Sequence, residues 1–192
     1  MSHRHYSIKE NEIPEIHPRL LSITLSRDEK DWPSVLHTHP FTEIFFVISG
    51  EGRFVFRQEI RTIQAGDLII IPPYLDHTEQ SLPDRPLEYY VLGIDGVAFQ
   101  KEGTASSAQI FCNFTDQHLI EELFEQMYHE VKCSGYGSEL ICRHFLEILV
   151  LRILRTSQEL MTVPISTAKM TKECARIKEY LDAHYAEHIT LD

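Results

Sequence analysis

The chain has 192 residues, of which 43% are hydrophobic and 24% are charged. These proportions are typical of one folded domain with an accessory segment, and a net charge of −11 argues against a broad basic face that grips nucleic acid. The four cysteines form no Cys-x-x-Cys pair, no apolar run is long enough to span a membrane, and the N-terminus lacks an apolar signal segment. We therefore expect a cytoplasmic protein with reduced thiols.

The first part of the chain is predicted to form β-structure. Residues 1–18 are polar and are predicted to be an N-terminal arm. Over 19–115, short apolar runs alternate with turn residues, which is typical of antiparallel strands. The predicted strands lie at 20–25, 43–48, 54–56, 60–63, 68–71, 87–94 and 110–114. Because 44–48 and 68–71 are apolar at every position, we expect both faces of these two strands to be buried.

Two histidine-bearing segments adjoin these apolar runs. The first contains His37, His39 and Glu43, and the second runs through Pro72, Pro73 and Tyr74 to His77. Alternate residues of an extended segment point to the same face, so His37 and His39 can enter one pocket together. Three imidazoles and one carboxylate are a suitable ligand set for a first-row divalent metal ion.

Together the two segments resemble the two motifs of the cupin superfamily, which are His-x-His with a following Glu and Gly, and then Gly, Pro and His. Tyr74 stands where the second motif usually has a glycine. The resemblance implies a small jelly-roll β-barrel whose mouth holds a metal ion or a small organic ligand. In the first case one Zn, Ni, Fe or Mn ion would be bound by His37, His39, Glu43 and His77.

Other roles for these side chains stay open. Without a metal ion, they can hydrogen-bond an organic ligand such as a sugar, or His39 and His77 can be solvated residues at strand ends. Trp32 and Tyr74 are candidate aromatic residues for stacking against such a ligand. The predicted ligand-binding residues are therefore Trp32, His37, His39, Glu43, Tyr74 and His77.

Two helices are predicted over 116–156. Apolar residues recur at helical spacing from Leu119 to Val131, and a second helix begins at Ser138 after two glycines. Apolar residues cover most of the circumference of this second helix, so it needs burial on two sides. It packs either on the barrel and the first helix alone, or also on a second subunit. The latter alternative predicts a homodimer with the interface residues Leu140, Phe145, Ile148, Leu149 and Arg152.

The last part of the chain is predicted to leave an apolar helix face uncovered. Residues 157–172 lack periodicity and are predicted to be a linker. Within 173–192, one helix carries the pattern Ile-Lys-x-Tyr-Leu-x-x-x-Tyr, and Thr190 after it can cap a further helix. We therefore expect the chain to be a piece of a longer protein.

A cupin barrel, a helix pair, a linker and such a helix resemble an AraC-type bacterial transcription regulator. The resemblance implies an effector-sensing and dimerisation domain over 1–156, with 173–192 as the start of a helix-turn-helix domain that binds DNA through the residues after it. The implied fold class is mainly β, a cupin-like jelly-roll barrel followed by two α-helices and a short terminal helix. The alternative function is a metal-dependent cupin enzyme of the isomerase or dioxygenase type, for which no catalytic acid or base is evident.

Overall fold

A computed structural model describes residues 4–7, 16–27, 35–56, 59–101, 107–112, 117–157 and 160–163. The strands before the helices are β1 (Arg19–Arg27), β2 (Thr42–Ser49), β3 (Glu51–Phe56), β4 (Glu59–Gln64), β5 (Leu68–Ile71), β6 (His77–Ser81), β7 (Glu88–Asp95), β8 (Ala98–Lys101) and β9 (Gln109–Phe111). They are followed by α1 (Gln117–Cys133), α2 (Ser138–Thr156) and β10 (Leu160–Val163). Neither of these two helices combines the length and the apolar character needed to cross a membrane.

Two antiparallel sheets enclose the interior of the barrel. The larger has the strand order β1-β7-β2-β5-β9, and the smaller has the order β4-β3-β6. Their inward side chains form one buried cluster, made of Phe45, Val47, Phe54, Phe56, Ile63, Ile69, Ile71, Leu87 and Tyr89. The predicted fold class is confirmed: the chain is mainly β, with a cupin-like jelly-roll barrel followed by two helices.

The outer face of the larger sheet is covered by the two helices. Ile44 and Phe46 point away from the barrel interior and lie in a second buried cluster with residues of both helices, including Phe124 and Leu149. Side chains of β2 therefore alternate between two cores, as a strand requires. This arrangement confirms the expectation that the continuously apolar strands β2 and β5 are buried on both faces.

Much of the apolar surface of α2 is buried within one protomer. The helix lies against α1 and β1 and buries Cys142, Leu146, Leu149, Val150 and Ile153. Leu149 is fully buried, so its prediction as a dimer-interface residue is corrected: its side chain has no surface left for a second subunit. Leu140 and Ile148 remain 48% and 43% exposed, while Phe145 and Arg152 are half-buried.

Part of the predicted linker forms a strand. β10 lies within 157–172 and pairs antiparallel with β8, with Leu160 opposite Lys101 and Val163 opposite Ala98. A four-residue strand has too little periodicity to be predicted locally, and its partner is far away in sequence. Residues 164–192, with the rest of the linker and the terminal helix, and most of the predicted arm lie outside the described residues.

The turn between the helices depends on the conformational freedom of Gly137. This residue has φ +83, and a Cβ added to it would meet no atom within 4 Å. Gly137→Ala is therefore expected to cost about 1 kcal/mol of unfolding free energy through backbone strain alone. The measurement is thermal unfolding, in which a loss of this size lowers the Tm by roughly 2–4 °C. Gly135→Ala is the matched control, since Gly135 has no positive φ and its nearest neighbour would be 3.8 Å away; equal losses in both variants would contradict the strain argument.

Candidate metal and ligand site

The two histidine segments meet through their backbones. His37 and His77 form an isolated antiparallel bridge, in which each backbone N–H donates to the carbonyl of the other residue at 3.0 Å. The pairing brings their imidazole rings to a centroid distance of 4.5 Å. The segment before β2 is thereby fixed against the first residue of β6 at the mouth of the barrel.

Glu43 lies between the histidines. As the second residue of β2, it places one carboxylate oxygen, Oε1, 3.6 Å from Nε2 of His39, and the other, Oε2, 2.9 Å from Nε2 of His77. Glu43 and His77 are buried, whereas His37 and His39 are half-buried. The structure therefore brings together all four residues that were predicted as ligands. Two of them lie buried at the bottom of the site, and the other two are accessible at its rim.

Three of the four residues have the spacing of a metal-binding group. One donor atom each from His37, His39 and Glu43 all lie within 4.8 Å of one another. His77 is outside this set and contacts the carboxylate of Glu43 from the interior side. A divalent transition metal fits these donors, because imidazole nitrogen and carboxylate oxygen are its usual ligands.

The backbone orients two of these histidines in the same way. Nδ1 of His37 lies 3.0 Å from the carbonyl oxygen of Val35, and Nδ1 of His77 lies 2.8 Å from that of Leu75. Since a carbonyl oxygen can only accept, Nδ1 carries the hydrogen in both rings. The neutral form of each ring then presents the lone pair of Nε2 as a ligand, which is how second-shell hydrogen bonds orient histidines in metal sites.

The contact between Glu43 and His77 is favourable only if a proton or a cation lies beside the two atoms. Although Oε2 and Nε2 are 2.9 Å apart, neither atom has a hydrogen-bond partner of acceptable geometry among the described residues. Two buried lone pairs at this distance repel unless a proton or a cation lies beside them. The donor set therefore fits a bound cation on physical grounds.

The pKa of His77 is raised, which favours the positively charged form of its ring. Burial by itself lowers this pKa, but the adjacent Glu43 carboxylate, the Leu75 carbonyl and the charge of Glu79 outweigh it. The pKa consequently lies above the ordinary value of 6.5. The environment of His77 thus favours the protonated form of its ring.

Aromatic rings surround the site. Phe41 stacks on His39 with a centroid distance of 4.8 Å and an interplanar angle of 17°, and Phe45 and Phe54 each lie 6.3 Å from the ring of His77. These contacts restrict the orientations of the two imidazole rings. The interior also holds Glu79, whose Oε1 accepts a hydrogen bond from the hydroxyl of Tyr89 at 2.7 Å. Glu79 was not predicted, because the polar sequence of β6 gives no strand signal.

Of the two aromatic residues predicted to stack on a ligand, the structure describes only Tyr74. Tyr74 is 70% exposed and its φ is 63, so the structure places its side chain in solvent, in contrast with the predicted role. Pro72 and Pro73 end β5, and the turn after them needs the left-handed conformation that glycine usually provides. The backbone N–H of Tyr74 nevertheless donates to the carbonyl of His39 at 2.7 Å and so supports the site. Trp32 lies outside the described residues.

Comparisons with known proteins give one curated relative and several solved structures to which parts of the chain are similar. YbfI of Bacillus subtilis, an uncharacterized HTH-type transcriptional regulator, is 21% identical over 158 residues, which are 81% of this chain and 58% of YbfI. The chain thus spans less than two thirds of the length of this relative. Among solved structures, apo ToxT from Vibrio cholerae aligns with 90% of this chain and 65% of its own, at 11% identity and a TM-score of 0.46. A cupin-2 domain protein from Shewanella frigidimarina aligns with 43% of this chain and 82% of its own, at 24% identity and a TM-score of 0.32.

The family assignment rests on a longer match. Residues 21–154 match the family described as the AraC-like ligand binding domain, and this range covers most of β1, the strands from β2 to β9 and nearly all of the helix pair. Because the matched range is well over half of the sequence, the chain belongs to the AraC-like ligand binding domain family.

Proposed function

We propose that this chain is the effector-sensing domain of a bacterial transcription regulator, and that its effector site is the mouth of the barrel. The observation that carries the proposal is the convergence of His37, His39, Glu43 and His77 in a member of a ligand-binding domain family. DNA would be contacted by a helix-turn-helix part of the regulator, since the described residues include no such unit. A small-molecule effector, a sugar among the candidates, would enter from the half-buried side formed by His37 and His39.

The site is further proposed to hold one divalent ion, Zn, Ni, Fe or Mn. His37, His39 and Glu43 would bind it, while the protonated ring of His77 would donate from Nε2 to the carboxylate of Glu43. When bound, the ion would offer open coordination positions to an oxygen or nitrogen atom of the effector. The residues of the chain orient the ligands: the Val35 carbonyl fixes the ring of His37, and Phe41 fixes that of His39 by stacking.

The metal proposal predicts a specific loss of affinity. Purified protein without a polyhistidine tag should bind about one Zn²⁺ per chain. Glu43→Gln, which removes the charge of a ligand, and His37→Ala, which removes a ligand, should each weaken binding at least as much as loss of a second-shell partner, which costs roughly 10–100-fold. Isothermal titration and elemental analysis measure this directly. Zinc at about 100 times its Kd should also raise the free energy of unfolding by about 2.7 kcal/mol.

His144→Ala is the matched control for these variants. His144 is exposed on α2, where its Nδ1 lies 3.1 Å from Glu147, so its loss should leave zinc affinity unchanged. A folded wild-type protein that binds none of the four metals would contradict the metal site. The side chains would then be assigned to direct hydrogen bonding of an organic ligand, and thermal stabilisation by small sugars would be screened.

A metal-dependent enzyme is the second candidate function. The observation in its favour is Glu79, a buried carboxylate whose charge acts on His77 and which could exchange a proton with a bound substrate. Proton NMR of candidate sugars mixed with the metal-loaded protein separates the two functions. Thermal stabilisation with unchanged sugar spectra would support a sensor, and conversion of the sugar would support an enzyme.

We also propose that the domain forms a homodimer through the exposed side of α2. Leu140, Ile141 and Ile148 remain exposed after the helix has packed on its own protomer. Large apolar residues grouped on one side of a surface helix are a common feature of protein interfaces. Phe145 and Arg152, which are half-buried, border this side of the helix.

A further inference from the structure

One buried hydroxyl joins the strand of the site to another part of the fold. Thr42, which directly precedes Glu43 in β2, is fully buried, and its Oγ1 donates to the carbonyl oxygen of Val97 at 2.8 Å. Val97 is itself buried, and 55 positions separate the two residues. Because both groups are buried, loss of this bond would leave an unsatisfied polar group in the core, so the bond favours a fixed separation of the two backbones.

The acceptor of this bond leads directly into the ribbon formed by β8 and β10. Val97 is followed by Ala98, the first residue of β8, and Ala98 pairs with Val163, the last residue of β10. The backbone that follows α2 therefore returns to a point one residue from the carbonyl held by Thr42. Beyond Val163 the chain continues into residues 164–192, the part predicted to lead to the DNA-binding region.

The pairing of β8 with β10 is short enough to open locally while both strands stay attached to the core. The ribbon is a two-stranded sheet, separate from the larger sheets of the barrel, and its pairing involves four residues on each strand. Short paired segments of this kind open locally at a much lower free energy than the whole fold. One side of the ribbon is anchored, because Phe99 and Leu160 are buried in the core shared with the helices.

We infer that Thr42 is a positioning residue that couples ligand binding at Glu43 to the pairing of β8 with β10. The inference rests on the proposed sensing function and names the route by which it reaches the chain after Val163. A ligand held by Glu43 fixes the start of β2, and the Thr42 hydroxyl then fixes the Val97 carbonyl and the first pair of the ribbon. The ligand stabilises the paired ribbon because it binds more tightly to that arrangement than to the open one.

Hydrogen exchange followed by mass spectrometry tests this coupling without any ligand. In Thr42→Val the donor is lost while the shape is kept, so the amides of 98–101 and 160–163 should exchange about tenfold faster. Thr42→Ser keeps the hydroxyl and should exchange like the wild type.

Two results would overturn the coupling. They are unchanged exchange of the ribbon in Thr42→Val, and faster exchange across the whole protein in that variant. If Thr42→Val does not fold, Thr42→Cys replaces it, since a thiol is a weak donor and should give an intermediate rate.

Zinc added to the same samples separates this inference from the proposed function. Zn²⁺ should slow exchange at 98–101 and 160–163 in the wild type and in Thr42→Ser, but not in Thr42→Val. Zinc that binds without slowing the ribbon would overturn the coupling. A failure of zinc to bind would overturn only the metal site, and the comparison without zinc would then decide the role of Thr42.

Discussion

Replacement of Leu149 with aspartate should unfold the protein rather than separate a dimer. The side chain is fully buried in the core between the helices and the larger sheet. Loss of a buried leucine costs about 2–5 kcal/mol, and an unpaired buried carboxylate adds several more, so the sum is comparable to the roughly 5–15 kcal/mol that stabilises a typical domain. Circular dichroism during urea unfolding should show loss of the cooperative transition.

Ile148→Asp is the matched control on the adjacent position. Ile148 is 43% exposed, so the same change should cost no more than about 1 kcal/mol and leave the protomer folded. If α2 forms the dimer interface, light scattering should show Ile148→Asp at the protomer mass of 22.4 kDa while the wild type is a dimer. A folded Leu149→Asp protein with an unchanged transition would refute the burial argument, and an unchanged dimer in Ile148→Asp would refute the proposed interface.

Gly50→Ala is expected to be the most damaging of the glycine substitutions. Gly50 connects β2 to β3 with φ +87, and a Cβ there would lie 2.0 Å from the carbonyl oxygen of Pro86 and 2.6 Å from its carbonyl carbon. Backbone atoms cannot rotate away as a side chain can, so both the turn and the segment at Pro86 must move. With the strain of the positive φ, we expect a loss of at least about 3 kcal/mol in unfolding free energy, measured by urea unfolding.

Gly66→Ala separates steric overlap from backbone strain. Gly66 has nearly the same φ, +88, but the three atoms nearest to the Cβ would all belong to the side-chain amide of Gln117, which can swing aside. The expected loss is therefore about 1–2 kcal/mol, the cost of the left-handed conformation alone. If the two variants lose the same free energy, the contact with Pro86 does not determine the cost at Gly50.

Several features of the fold could be predicted because their signals are local. The run from Ile44 to Val47 has no polar residue, and such a strand can only be buried on both faces. The glycines before Ser138 indicate where α2 begins, since a residue in the left-handed conformation interrupts a helix and lets the chain change direction. The two histidine motifs were also evident, because the residue types and their spacing are themselves the chemical requirement.

Other features depend on partners that are distant in sequence. β6, β8 and β10 are short, and β6 is almost wholly polar, so only their pairing partners make them strands. Which side of α2 is covered could not be derived from a helix that is apolar nearly all round. Leu149 and Ile148 look equivalent in the sequence, yet one is in the core and the other is exposed.

The strand-rich barrel, the helix pair and the four residues of the candidate site could all be predicted from the amino-acid sequence, since alternation, helical periodicity and ligand chemistry are carried by neighbouring residues. How those residues act together depends on contacts that form only in the folded chain. The bridge between His37 and His77, the contact of Glu43 with both His39 and His77, and the bond from Thr42 to Val97 all join segments that no local pattern relates. These contacts form because two sheets close around one core. The closure removes particular polar atoms from water, and those atoms must then pair with one another.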